Sequence, residues 1–149
     1  MAVKPIPDGF HTVTPYLLVT DARRLIEFLK QAFGAEVAHQ STRPDGGILH
    51  AQVRIGDSPV MMGEVSGEWK PMPGSLYLYV PDTDAVYRRA LQAGGTSVME
   101  PADQFYGDRV YRCVDPEGHH WTFAMHVRDV TRAEAEAAIG TPIHAPSWQ

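Results

Sequence analysis

The chain nearly lacks cysteine: among 149 residues only Cys113 is present, so no disulfide forms within it. The apolar stretch VYRCV around that residue predicts a buried, inert thiol rather than a nucleophile. No apolar run approaches the length of a membrane span. The first residues, MAVKPIPDGFHTVTPYLLV, lack a basic segment followed by an apolar core; no secretory signal is expected, and a reducing cytoplasm is the expected compartment. Positive charge is scarce too: 13 Lys and Arg against 18 Asp and Glu, a net charge of −5, with the cations scattered. That balance argues against nucleic acid as a partner. There is no GxSxG elbow, no phosphate-cradling glycine loop and no visible nucleophile–base arrangement. What remains is a globular composition, 44% hydrophobic and 21% charged, long enough for one domain or for two half-domains sharing a core.

What is present is a duplication. The stretch YLLVTDARRLIEFLKQAFGAEV, starting at Tyr16, aligns without a gap on YLYVPDTDAVYRRALQAGGTSV, starting at Tyr77. At an offset of 61 the pairs Tyr16/Tyr77, Leu17/Leu78, Val19/Val80, Asp21/Asp82, Gln31/Gln92, Ala32/Ala93, Gly34/Gly95 and Val37/Val98 are identical. Two copies of this length are too few for a solenoid, so the chain is read as a duplicated module.

Each copy begins as a strand, in TPYLLV and LYLYV, and Asp21 and Asp82 stand where a helix N-cap is wanted. Leu25, Ile26, Leu29 and Phe33 form an apolar stripe at helical spacing, matched by Val86, Ala90, Leu91 and Ala93. Gly34 and Gly95 suit the residue just past each helix, where a positive φ is common. In ILHAQVRI, alternation sets Leu49, Ala51, Val53 and Ile55 on one face and His50, Gln52 and Arg54 on the other. With the turns at PDGG and DPEG, each module reads βαβββ. The expected organisation is a first module over 1–65 including its lead-in, a Pro- and Gly-rich linker over 66–74, a second module over 75–128, and a C-terminal helix and tail over 129–149. Thr131 and Glu134 form a capping-box pattern for that helix.

Paired βαβββ modules, with TPYLLV and Asp21, HAQVRIGDSPVMM, QFYGDR and DPEGHHW in order, resemble the vicinal oxygen chelate superfamily (glyoxalases, bleomycin resistance proteins and dioxygenases), and within it the PhnB-like branch. The resemblance covers about residues 8–128. It implies an α+β fold in which cupped half-sheets face one another around a cavity, in many members across a dimer. It also implies four metal-ligating positions: seven residues before each helix-opening Asp, at Thr14 and Ser75, and on the last strand of each module, at Met61 and Thr122. Three hydroxyls and a thioether are poor ligands for the divalent ions such sites hold, so no cofactor is expected, with a divalent metal at a displaced, His-based site as the alternative.

The cavity residues follow from alternation. Tyr16, Tyr77 and Tyr79 are in phase with Thr14 and Ser75, giving an apolar wall with hydroxyl tips. His50, Gln52 and Arg54 share one strand face; His120 and His126 share another with Thr122. The loop DQFYGDR supplies Phe105, Tyr106 and Arg109 as a candidate lid, with a structural turn at Gly107 and a surface Asp108–Arg109 pair as the plainer reading. His119 and His120 follow a turn, where solvated or backbone-bonded imidazoles are ordinary. Trp69 and Met72 are expected over the cavity or at a dimer contact. Three functions fit: a metal-independent binder of a small organic molecule; a lyase, isomerase or dioxygenase-type enzyme with a displaced metal or with Tyr and His as acid–base groups; or a non-catalytic assembly subunit. A homodimer is the expected assembly, with no nucleic acid or membrane partner, and the catalytic residues are left unassigned.

Overall fold

The structure is a computed structural model describing residues 2–68 and 70–144. Trp69 and the end of the tail, from residue 145, lie outside the described residues. The first module comprises β1 (Tyr16–Val19), α1 (Ala22–Phe33), β2 (Glu36–Thr42), β3 (Ile48–Ile55) and β4 (Ser58–Glu64). The second comprises β5 (Ser75–Tyr79), α2 (Thr83–Gln92), β6 (Thr96–Asp103), β7 (Asp108–Val114) and β8 (His120–His126), and α3 (Arg132–Ile139) follows. The strand orders, β1-β4-β3-β2 and β5-β8-β7-β6, are the same order written twice. In each sheet the first strand runs parallel to the fourth and the other pairs are antiparallel. The fold is α+β, two βαβββ modules, as the duplication predicts.

Each helix starts as its sequence dictates. The Asp21 side chain accepts from Arg24 N and that of Asp82 from Ala85 N, each at 3.1 Å. Thr131 and Glu134 close a reciprocal capping box. Leu25, Ile26, Phe28 and Leu29 turn the buried face of α1 onto the first sheet. Only Val86 and Ala90 of the second apolar stripe are buried with it, and Leu91 is exposed.

Two features differ from the periodicity. Leu49 is exposed and Ile48 takes the core position, because a register irregularity between Ser41 and Thr42 shifts the start of β3 by one residue. Gly34 has the expected positive φ of 67°, but in the second copy Gly94, not Gly95, is left-handed, at 100°. Gly95 is required for another reason: a Cβ there would lie 2.8 Å from Ala90 O and 3.1 Å from the Phe28 ring. The second glycine of the repeat thus allows close approach between modules.

One hydrophobic cluster runs through both modules. Phe33, at the end of α1, lies with ring centroids 5.1 Å from Trp121 and 4.9 Å from Phe123 in the second sheet. Glu117, in the DPEG turn, ion-pairs with Arg24 and accepts from Asp21 N, so an acidic residue of the second module meets the N-terminus of the first helix. The linker bridges back through Met72 N to Leu18 O at 3.2 Å, beside the outer edge of β1.

Candidate functional site

Each sheet has one face against its helix and one turned away from it. On the first, cross-strand register lines up Tyr16, Met61, Gln52 and His39. On the second it lines up Tyr77, Thr122, Arg112 and Met99. These rows are structural equivalents, and they contain Tyr16, Gln52, Tyr77 and Thr122 of the side chains singled out by alternation. Tyr16 is 48% exposed, Tyr77 50% and Tyr79 71%, so both faces are open within one chain. Among the described residues no hydrogen bond, ion pair or ring contact joins the two faces.

On the first face, Tyr16 Oη lies 3.3 Å from His50 Nδ1, and the His50 ring centroid is 5.6 Å from that of His39. Gly63 makes this possible: a Cβ there would fall 2.7 Å from the Tyr16 hydroxyl. Arg54 is committed to Glu36 on the neighbouring strand. Thr14 precedes β1 and donates to His11 O at 3.3 Å.

The second face is richer in aromatics. The rings of Tyr77 and Tyr79 are 5.6 Å apart. Partial burial, then the neighbouring Tyr106 hydroxyl, raises the Tyr77 phenol above its usual value; burial, then Asp108, does the same for Tyr79. Phe105 and Tyr106 pack edge to face at one end. Ser75 pairs in register with His120, and both are exposed. Thr122 is 3% exposed and accepts from Arg112 Nε at 3.0 Å.

Arg109 does not join this group. The strand β7 starts at Asp108, so Arg109 falls on the helix side, bonded to Asp84 of α2 and to Asp103 at 3.0 Å each. Nor do Asp108 and Arg109 form a surface pair: Asp108 is buried and bonds His126 Nδ1 at 2.8 Å. Gly107 is structural, with φ 96°, its carbonyl accepting from Val127 N and Arg128 N. His119 is buried rather than solvated, with Nδ1 3.1 Å from Asp115. Arg112, His39 and Met99 also stand on these faces, outside the residues that alternation singles out; counting in twos from Asp108 reaches Arg112.

The hydrogen bonds to Asp129 and then to Asp108, outweighing partial desolvation, raise the His126 pKa above 6.5. The folded value lies above the unfolded one, so this contribution is complete below about pH 6.5 and is lost as pH rises through the folded value. Wild-type protein is therefore expected to lose more thermal stability from pH 6 to pH 9 than His126→Gln. Parallel melting curves for the two proteins would refute the linkage.

The four positions at which the resemblance implies metal ligands are held by Thr14, Met61, Ser75 and Thr122, and they do not fit a divalent ion. The Thr14 hydroxyl is turned to a carbonyl, and Thr122 has a guanidinium 3.0 Å away, where a second cation would be repelled. Among the described residues no group of three or more His, Cys, Asp or Glu side chains gathers as a displaced centre.

A cleft of about 680 Å³ opens where the modules meet, between the lead-in with the β3–β4 hairpin and the outer edge of β5. Tyr77 and Tyr79 flank it, Val13, Pro15 and Leu78 line it, and Phe33 and Trp121 extend it toward the core. A second hollow, of about 260 Å³, lies over Gln52 and Arg54 beneath Phe10.

Tandem βαβββ half-sheets, each with an open concave face, define a two-module α+β protein of the cupped-sheet class. The family model of the Glyoxalase/Bleomycin resistance protein/Dioxygenase superfamily matches residues 9–123, and the chain belongs to that superfamily. An uncharacterized protein of Mycobacterium bovis is 37% identical over 140 residues, covering 87% of this chain and 92% of that protein. Among solved structures, TioX from Micromonospora sp. ML1 superposes with a TM-score of 0.67 at 28% identity, over 78% of this chain and 99% of that one. A PhnB protein from Bacillus cereus superposes with a TM-score of 0.62 at 16% identity, over 77% and 99% of the two chains. No helix among the described residues is long and apolar enough to cross a membrane.

Proposed function

We propose that the protein binds a small organic molecule against the tyrosine-lined wall of the second module, without a metal. The observation that carries this reading is the exposed Tyr77–Tyr79 pair beside a cleft of about 680 Å³, a volume in the range of ligand sites. Aromatic walls with hydroxyl tips suit a flat, partly polar molecule. A second copy of the chain is the proposed cover for the open faces, since half-exposed tyrosines on both sheets favour burial against another surface. A reducing cytoplasm is the proposed setting, in keeping with a single buried thiol.

Thermal shift against an aromatic small-molecule library tests the reading, because a ligand selective for the folded state raises the midpoint. At least one compound is expected to shift wild-type protein, and Tyr77→Ala to remove the shift while leaving the unliganded midpoint nearly unchanged. A shift that survives in Tyr77→Ala would place the site elsewhere. A stoichiometric transition metal in untagged protein purified without chelators would overturn the metal-free reading.

A further inference from the structure

We infer that Arg112 is a fixed cation on the second concave face that anchors a carboxylate of the bound molecule, an assignment that rests on the binding reading above. The register places Arg112 in one row with Tyr77 and Thr122, so its side chain leaves the sheet on the tyrosine side. Its Nε is spent on Thr122 Oγ1 at 3.0 Å, and that hydroxyl is itself buried. This bond holds the guanidinium at Nε, and among the described residues the two terminal nitrogens make no hydrogen bond, which leaves them as a fork able to donate two parallel bonds to a carboxylate.

The charge is also uncompensated. Arg24, Arg43, Arg54, Arg109 and Arg128 each ion-pair with an Asp or Glu, and Arg23 and Arg89 donate to backbone carbonyls. Among the described residues no carboxylate pairs with Arg112. The acidic group on the same face of β7 is Asp108, four residues away and so about 13 Å along the strand, and it is held by His126. A lone guanidinium among hydroxyls and aromatic rings, on a face whose metal positions do not fit a metal, is a cation supplied by the chain itself. One such fork with no second cation beside it matches a flat monoanion better than a phosphate dianion.

Three probes separate the possibilities: 1-naphthylacetate, its neutral amide 1-naphthylacetamide, and 1-naphthyl phosphate, each titrated by calorimetry into wild-type protein, Arg112→Met and Thr122→Val. Wild-type protein is expected to bind the carboxylate at least tenfold more tightly than the amide. Arg112→Met should erase that preference and leave amide affinity unchanged; Thr122→Val, which only frees the guanidinium, should reduce the preference severalfold. Unliganded melting curves establish that each variant is folded, and Thr122→Val carries the test if Arg112→Met is not. Equal binding of acid and amide by wild-type protein overturns the anchor alone. Tighter binding of the phosphate overturns the carboxylate assignment. No binding of any of the three overturns the anchor together with the reading of this face as a ligand site.

Discussion

Asp115→Ala is expected to cost about 3–5 kcal/mol of stability, a fall in thermal midpoint on the order of 10 °C for a domain of this size. The carboxylate is buried and accepts from Glu117 N at 2.6 Å, His119 N at 3.2 Å, His119 Nδ1 at 3.1 Å and Trp121 Nε1 at 2.7 Å. Removing it strands these donors, two of them on fully buried side chains, where water cannot replace the lost partner. Burial alone would oppose ionisation, but the bonds from His119 and Trp121 outweigh it and hold the carboxyl below its ordinary 3.8. Its contribution is therefore present above about pH 4 and is lost as pH falls through the folded value. Asp115→Asn, which keeps one acceptor oxygen, should lose less than the alanine variant. Urea melts decide the matter, and an alanine variant as stable as wild type would show that the motif holds nothing together.

Gly107→Ala is expected to cost about 2–4 kcal/mol, from backbone strain and forced repacking together. The residue has a φ of 96°, and a Cβ would stand 2.1 Å from Arg128 O and 3.1 Å from Val130. The first obstacle is backbone, so no rotamer change relieves it. The loop carrying Phe105 and Tyr106 would have to lift from the 127–130 segment, and Tyr106 would leave Tyr77. Accordingly the variant should weaken ligand shifts as well as stability. Intact ligand shifts in a destabilised variant would separate the loop from the site.

The architecture was legible because the duplication repeats both helix caps and both strand starts, and local rules of capping and alternation then act on each copy. Legibility ended where register is set across strands. The irregularity beside Thr42 falls where two apolar residues, Ile48 and Leu49, stand side by side, so the exchange of one for the other leaves no mark on periodicity. QFYGDR reads as a loop, whereas β7 begins inside it and sends successive side chains to opposite faces, which carries Arg109 to the helix side. The glycines illustrate a different limit: Gly95 aligns with Gly34, yet one relieves a backbone angle and the other makes room for Phe28, a distinction set by tertiary contact. DPEGHHW was visible as a motif, but only the folded arrangement shows Asp115 at its hub and Glu117 reaching the other module.

The lone thiol has a practical consequence. Cys113 is wholly buried, and that burial, outweighing the neighbouring Tyr111 hydroxyl, pushes its pKa up to about 11. Folded molecules therefore offer no thiolate to one another or to an oxidant. A covalent dimer found in an aged preparation is the fossil of a chain that once opened, and its yield is a clock for opening rather than a measure of assembly.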